Sequence, residues 1–311
     1  MATQPSHRAP RDMVWLEGGR FTMGSNRHYP EERPERTMQV NGFWIDRTPV
    51  TNAQFADFVA ATGYRTLAER APDADDYPGA LPEMLVPASL VFEMPTRQVD
   101  DRGSASQWWT FLPGADWRHP HGPGSGIDGL PDHPVVHVAL VDVEAYLVWA
   151  NASLPTEAEW EFAARGGLEG ADFAWGDSFV PGGVHQANVW QGPFPYANTG
   201  DDGWLRTSPV GTYPANGHGL YDMIGNVWEW TADWWSFAPE PTSTCCSTGR
   251  TRSVDPSDPA AIPRRVLKGG SHLCAPNYCR RYRPAARHAH PVDTSTSHVG
   301  FRCAIRPPPQ P

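Results

Sequence analysis

L-P-T-E-A-E-W-E-F-A-A-R-G-G, residues 154–167, is the stretch from which the fold can be read outward. Thr156 followed three residues later by Glu159 is a capping box, in which each side chain satisfies an N–H left over at the start of a helix. Trp160, Ala163 and Ala164 supply its apolar stripe, and Gly166-Gly167 ends it. The predicted helix is short, and it is bordered on both sides by segments with no long helical period. On its N-terminal side, Asp142 is expected to cap a helix carrying Tyr146, Leu147, Trp149 and Ala150, after a strand at P-V-V-H-V (134–138). A further capping box, Thr51 with Gln54, predicts a helix burying Phe55, Phe58 and Val59 and ending at Gly63. Before it, Met13 to Trp44 alternates apolar and polar residues as short strands do, with Gly18-Gly19 as a turn between two runs.

Residues 66–130 are rich in Pro, Gly and Asp, broken by Val91-Phe92 and Trp108-Trp109. A structureless loop of that length is unusual in a compact domain, so part of it must pack or serve as a binding loop. C-terminal to residue 167 come turns and aromatics, such as F-A-W-G-D and Y-D-M-I-G-N-V-W-E-W (221–230). R-V-L-K-G-G-S-H-L-C and V-G-F-R-C-A-I-R read as strands. With no repeat and no convincing linker, the expectation is one domain over 13–306, a disordered tail at 1–12 and a Pro-rich tail at 307–311.

Composition agrees with that picture. The 311 residues include 29 glycines, 33 prolines and 14 tryptophans, enough aromatic surface to hold irregular backbone together. The formal net charge is -10, and Lys268 is the single lysine. No basic stripe is present, which argues against nucleic-acid binding, and no apolar run could span a membrane. The N-terminus lacks the apolar core of a signal peptide, so a cytoplasmic protein with reduced thiols is expected. A monomer is the default expectation.

Five cysteines, Cys245, Cys246, Cys274, Cys279 and Cys303, cannot form a closed disulfide framework within one chain. Cys245 and Cys246 sit in a Ser/Thr/Gly-rich stretch read as an exposed loop, and Cys303 reads as a buried thiol on a strand. In G-G-S-H-L-C-A-P-N-Y-C, Cys274 and Cys279 converge on one point if Pro276-Asn277 turns the chain. Two thiolates suit a soft, low-coordinate ion such as Cu(I), whereas zinc takes more ligands. Spacing alone leaves metal binding, a disulfide and two inert thiols open, and His272 is expected near the thiols if the strand continues.

The stretches N-V-W-Q-G (188–192), N-T-G-D-D-G-W (198–204) and 221–230 offer the oxygen donors that calcium needs. Local turn stabilisation by the same Asn and Asp residues is the reading that spacing favours. His119 and His121 read as a solvated loop. No nucleophile elbow, Walker loop or dinucleotide fingerprint is present.

Taken together, M-V-W-L-E-G-G-R-F-T-M-G-S, P-V-T-N-A-Q-F, 154–167, A-N-V-W-Q-G, 216–231, R-V-L-K-G-G-S and S-H-V-G-F-R-C-A make the chain resemble the formylglycine-generating enzymes, or sulfatase-modifying factors, from Met13 to Arg306. L-P-T-E-A-E-W and G-N-V-W-E-W mark the wider superfamily and hence the fold; the two cysteines after G-G-S mark the enzymes. The resemblance implies a single α+β domain, poor in regular structure and related to C-type lectin-like folds. It implies Cu(I) held by Cys274 and Cys279, with Ser271, Tyr278 and Trp228 lining the active site. The substrate would be an unfolded sulfatase segment, Cys-x-Pro-x-Arg, whose thiol joins the copper. With O2 as co-substrate its cysteine would become Cα-formylglycine through a thioaldehyde.

The resemblance also implies two structural calcium sites. One would use Asn188 and Asp202 with the carbonyls of Val189 and Trp204. The other would use Asp222 and Glu229 with the carbonyls of Gly225 and Val227. Pro284 and Ala163 or Ala164 stand where secreted relatives carry partner cysteines, which leaves Cys303 unpaired. Two alternatives share the fold: an iron-dependent sulfoxide synthase, which would need a histidine-rich site, and a non-catalytic binding module.

Overall fold

Local signals decide the helices. A computed structural model of the chain describes residues 12–77, 79–100, 103–236, 246–257 and 260–308. In it, α1 (Asn52–Thr62) starts with the Thr51 hydroxyl accepting from Gln54 N–H at 3.3 Å while the Gln54 side chain accepts from Thr51 N–H at 2.9 Å. Gly63, at φ 68°, closes it in the left-handed conformation that glycine adopts without strain. α3 (Glu157–Arg165) begins with the same reciprocal pair, Thr156 and Glu159, and ends at Gly166. Between them lies α2 (Leu140–Ala150), and α4 (Cys246–Arg252) follows much later.

Asp142 caps α2 from inside the helix, and Ala139 takes the N-cap position expected of it. Asp142 sits three residues inside, where its carboxylate accepts from the N–H of Ala139 at 2.9 Å, and from Leu67 N–H at 2.8 Å and the Tyr64 hydroxyl at 3.1 Å. The carboxylate thus ties α2 to the segment after α1, a partner no local pattern could supply. Residues 134–138 are not a strand either. His137 takes φ 60°, which breaks extension, and its buried ring bonds to the Ser89 hydroxyl and the Pro120 carbonyl.

The strands are β1 (Met13–Leu16), β2 (Gly19–Met23), β3 (Arg36–Val40), β4 (Phe43–Asp46), β5 (Ala88–Phe92), β6 (Trp109–Pro113), β7 (Trp228–Trp234), β8 (Arg264–Lys268), β9 (Arg287–Pro291), β10 (Val299–Gly300) and β11 (Ala304–Ile305). They form a four-stranded sheet in the order β10-β7-β8-β9, a three-stranded sheet β1-β4-β11, and two hairpins, β2-β3 and β5-β6. Gly18-Gly19 therefore separates strands that pair elsewhere. The strand expected to run through Cys274 stops at Lys268, and that around Cys303 is interrupted, leaving Cys303 buried between β10 and β11. The β5-β6 hairpin shows that part of 66–130 packs, as expected. Residues 1–11 and 309–311 of the expected tails, Cys245 and the side chain of Cys246 lie outside the described residues. The fold is a single α+β domain with little regular structure. None of the described helices is long and apolar enough to cross a membrane.

Large aromatics fill the spaces between these small elements. Trp108, Trp160, Trp190 and Trp230 are each fully buried. Burying 150–250 Å² of aromatic surface contributes roughly 4–6 kcal/mol per ring as an upper figure, which compensates for the few helices. Charged pairs are buried with them. Lys268, wholly inaccessible, lies 2.9 Å from Glu161, which also takes Arg165 at 2.6 Å. Burial pushes the Glu161 carboxyl up, but Lys268 and Arg165 outweigh it and hold the group below its ordinary range.

Removing Lys268 takes the charged donor from one Glu161 oxygen and leaves Arg165 alone to offset the buried carboxylate. Lys268→Met should therefore lower unfolding free energy by about 3–5 kcal/mol, read as a fall in the urea midpoint. A loss below about 1 kcal/mol would show that the pair is dispensable.

Candidate active site

Beyond β8 the chain leaves the sheet through Gly269 and Gly270, both at positive φ. A Cβ on Gly270 would lie 2.9 Å from the Arg281 carbonyl, so only glycine lets the two arms of the following loop meet there. Ser271 is fully buried; its carbonyl accepts from Cys274 N–H at 2.9 Å and its hydroxyl from Leu273 N–H at 3.2 Å. The Ala275 carbonyl then accepts from both Tyr278 and Cys279 N–H groups, making one tight turn over Pro276-Asn277. That turn brings the Cys274 and Cys279 sulfurs to 3.3 Å. Asn277 fixes the turn from outside through the Phe194 backbone, and Tyr278 stacks on the Phe194 ring at 4.4 Å.

The thiols open on a cavity of about 540 Å³. Trp228, Ser271, Cys274, Tyr278 and Cys279 all line it, so the five residues singled out for chemistry meet at one place. His272 does not join them. With no strand beyond Lys268, its ring turns away, donates from Nδ1 to the Asn226 carbonyl at 2.8 Å, and lines a separate cavity. His121, expected in a solvated loop, lines that second cavity too, and burial lowers its pKa to about 4.

The two thiols differ. Burial pushes Cys274 well up, and its hydrogen bond with Cys279 adds to this. Cys279 is pulled down by the bond from Cys274 against the effect of burial, with help from the Arg281 guanidinium 3.8 Å away. Cys274 thus holds its proton more tightly than Cys279 does.

Several contributors carry no local signal in the sequence. Arg281 stands two residues after Cys279, and its partner Glu31 lies 250 positions away. Three imidazoles, His288, His290 and His298, also line the cavity. Asn226, buried at φ 57°, accepts from Ser208 N–H and His272 N–H, and its own N–H donates to the Asn188 carbonyl. It thereby ties the Gly-rich loop to the thiol-bearing segment.

The oxygen-rich loops come together only in part. Gln191 reaches both the Val189 carbonyl and Asp202 N–H, cross-linking 188–191 to 202–204. The Asp202 carboxylate accepts from Trp204 N–H and the Tyr213 hydroxyl. Asn188, Val189, Asp202 and Trp204 thus share one cross-linked pair of loops. Glu229 is different. Both its oxygens accept from Arg302 at 2.7 Å, and one also takes the Trp160 indole N–H at 2.8 Å. A side chain so saturated, facing a guanidinium, does not fit the calcium role expected of it beside Asp222, Gly225 and Val227.

Among the described residues there is no cluster of three or more His, Cys, Asp or Glu side chains placed to hold a metal. Cys274 and Cys279 instead offer two sulfurs, which suits a soft, low-coordinate ion and not zinc.

Residues 1–307 match the family described as sulfatase-modifying factor enzyme 1-like domain. The formylglycine-generating enzyme of Mycobacterium tuberculosis is 53% identical over 95% of this chain and 98% of its own length. That of Streptomyces coelicolor is 46% identical over 96% of this chain and 90% of its own. A mouse relative named inactive C-alpha-formylglycine-generating enzyme 2 is 38% identical over 97% of this chain and 88% of its own, so likeness along the chain does not by itself guarantee turnover. Among solved structures, PvdO from Pseudomonas aeruginosa superposes with a TM-score of 0.61 at 24% identity, covering 97% of this chain and 99% of that one, which speaks for the fold alone. The chain belongs to the sulfatase-modifying factor family that includes the formylglycine-generating enzymes.

Proposed function

We propose that this protein oxidises a cysteine side chain of a sulfatase to Cα-formylglycine, using copper(I) held by Cys274 and Cys279. The observation that carries the reading is the thiol pair, 3.3 Å apart on the wall of an open cavity beside Trp228, Ser271 and Tyr278. A bound copper(I) would supply the chemistry that couples a thiol to dioxygen.

The chain's own residues do the rest. Trp228 and Tyr278 make apolar walls against which an extended peptide can lie, and Ser271 fixes the turn that carries Cys274. A cavity of this size admits a few side chains of an unfolded segment and not a folded domain. That agrees with a Cys-x-Pro-x-Arg stretch presented before the sulfatase folds. In the net reaction the substrate's CH2–SH group, dioxygen, two electrons and two protons give an aldehyde, hydrogen sulfide and water. Two electrons come from the substrate carbon and two from a small thiol reductant. A reducing compartment would keep both thiols free to bind the metal, and a cytoplasmic location is proposed on that ground.

Calcium is proposed at Asn188, Val189, Asp202 and Trp204, where it would staple loops that have little core of their own. Burial pushes Asp222 up to about 6, and the nearby Glu229 charge adds to this, but the engagement of Glu229 with Arg302 keeps a second site out of the proposal.

A peptide containing Cys-x-Pro-x-Arg, incubated with the protein, copper(I), O2 and a thiol reductant, should gain an aldehyde detectable by mass spectrometry and hydrazide trapping. Absence of aldehyde from folded, copper-loaded protein would reject the reading. Cys274→Ala or Cys279→Ala should cost more than the roughly 10–100-fold lost when an outer partner of a metal site is changed. Full activity in either variant would also reject it.

Calcium returned to chelator-treated protein at a hundredfold excess over its Kd should stabilise the fold by about 2.7 kcal/mol, and Asp202→Ala should abolish the gain. An equal gain in the variant would place any calcium elsewhere.

A further inference from the structure

We propose that Arg281 is a positioning residue for the thiol pair: its guanidinium offsets the negative charge that collects on Cys274 and Cys279 when they hold a metal ion. The inference rests on reading that pair as a copper(I) site.

The geometry is specific. Arg281 Nη1 points at the Cys279 sulfur at 3.8 Å, and the residue lines the same cavity as both thiols. Its other nitrogens are engaged: Nε and Nη2 donate to one Glu31 oxygen at 3.2 and 2.7 Å. The guanidinium also lies 4.1 Å from the centre of the Tyr29 ring. Tyr29 itself is fixed, since its hydroxyl accepts from Arg280 N–H at 3.1 Å. One residue after Glu31, Glu32 holds the buried Arg283. A turn from the β2-β3 connection, far away in sequence, therefore grips 280–283 and aims one N–H fork at sulfur. A planar fork can serve Glu31 and Cys279 at once; a lysine ammonium would keep the positive charge beside the sulfur while giving up the two-pronged hold on Glu31.

Two thiolates around a monovalent ion leave one net negative charge, and a substrate thiolate would add another. Among the described residues lining the cavity there is no Lys, Asp or Glu. Burial keeps His290, with its pKa lowered to about 4, and His298, lowered well below its ordinary value, in the neutral form. Burial does the same to His288, lowered to about 3. Arg281 is then the one permanent positive charge on the described wall. Outer partners that orient and neutralise first ligands typically change metal affinity by about 10–100-fold.

The test is an anaerobic competition for copper(I) between the full-length protein and a bathocuproine chelator, comparing wild type with Arg281→Met, Arg281→Gln and Arg281→Lys, each checked for folding by circular dichroism. The proposal expects Met and Gln variants to bind about 10–100-fold more weakly, with Lys recovering much of the loss. Gln keeps a donor without charge, so it reports on charge even if the Met variant fails to fold. Met and Gln variants within about twofold of wild type, or a Lys variant as weak as Met, would overturn the role assigned to Arg281. A wild-type protein that binds no copper(I) would overturn the metal reading as well, and is told apart by that first measurement.

Discussion

The bidentate pair between Arg302 and Glu229 is the constraint on which the rest of the molecule depends. Both groups are fully buried, and the guanidinium donates to both carboxylate oxygens at 2.7 Å. Its remaining N–H groups reach the carbonyls of Asp46, Arg47 and Tyr221, while Glu229 also accepts from Trp160 on α3. One ion pair thus joins the end of β4, the Gly-rich loop before β7, β7 itself, α3 and the link between β10 and β11. A fold with short helices and two-residue strands cannot rely on long ladders. It uses satisfied charges to fix irregular segments relative to one another.

The site inherits its geometry from that frame. Asn226, three residues before Glu229, bonds to Asn188, Ser208 and His272, and Trp190 N–H donates to the Cys274 carbonyl. The thiol-bearing turn is therefore suspended between the Gly-rich loop on one side and residues 29–32 on the other. Cys274 is set by its own buried surroundings, and Cys279 is the thiol that faces a cation. Two neighbouring sulfurs, on a cavity wall where the described residues include no carboxylate, are the donor set that the proposed soft ion would need.

Sequence reveals the parts of this that are local. The capping boxes at Thr51 and Thr156 are readable because hydroxyl and partner lie three residues apart, and the glycines at 63 and 166 because their φ demands no side chain. The convergence of Cys274 and Cys279 follows from the Pro-Asn turn between them. What escapes reading is long-range. Asp142 is readable as a helix cap, but nothing nearby announces its further bonds to Leu67 and Tyr64. His137 breaks an apparent strand for the sake of partners at Ser89 and Pro120. Arg281 gives no sign of its role because Glu31 is 250 residues distant. Resemblance assigns Glu229 to a cation, and the structure gives it Arg302.

The central claim is that Cys274 and Cys279 are metal ligands, and not a redox couple or inert thiols. X-ray absorption at the copper edge of anaerobically loaded protein tests it most directly. The account predicts one copper(I) per chain with sulfur as its protein ligand type and two sulfurs per ion, a signal lost in Cys279→Ala. A first shell dominated by nitrogen from His288, His290 or His298, or unchanged copper binding in that variant, would contradict it.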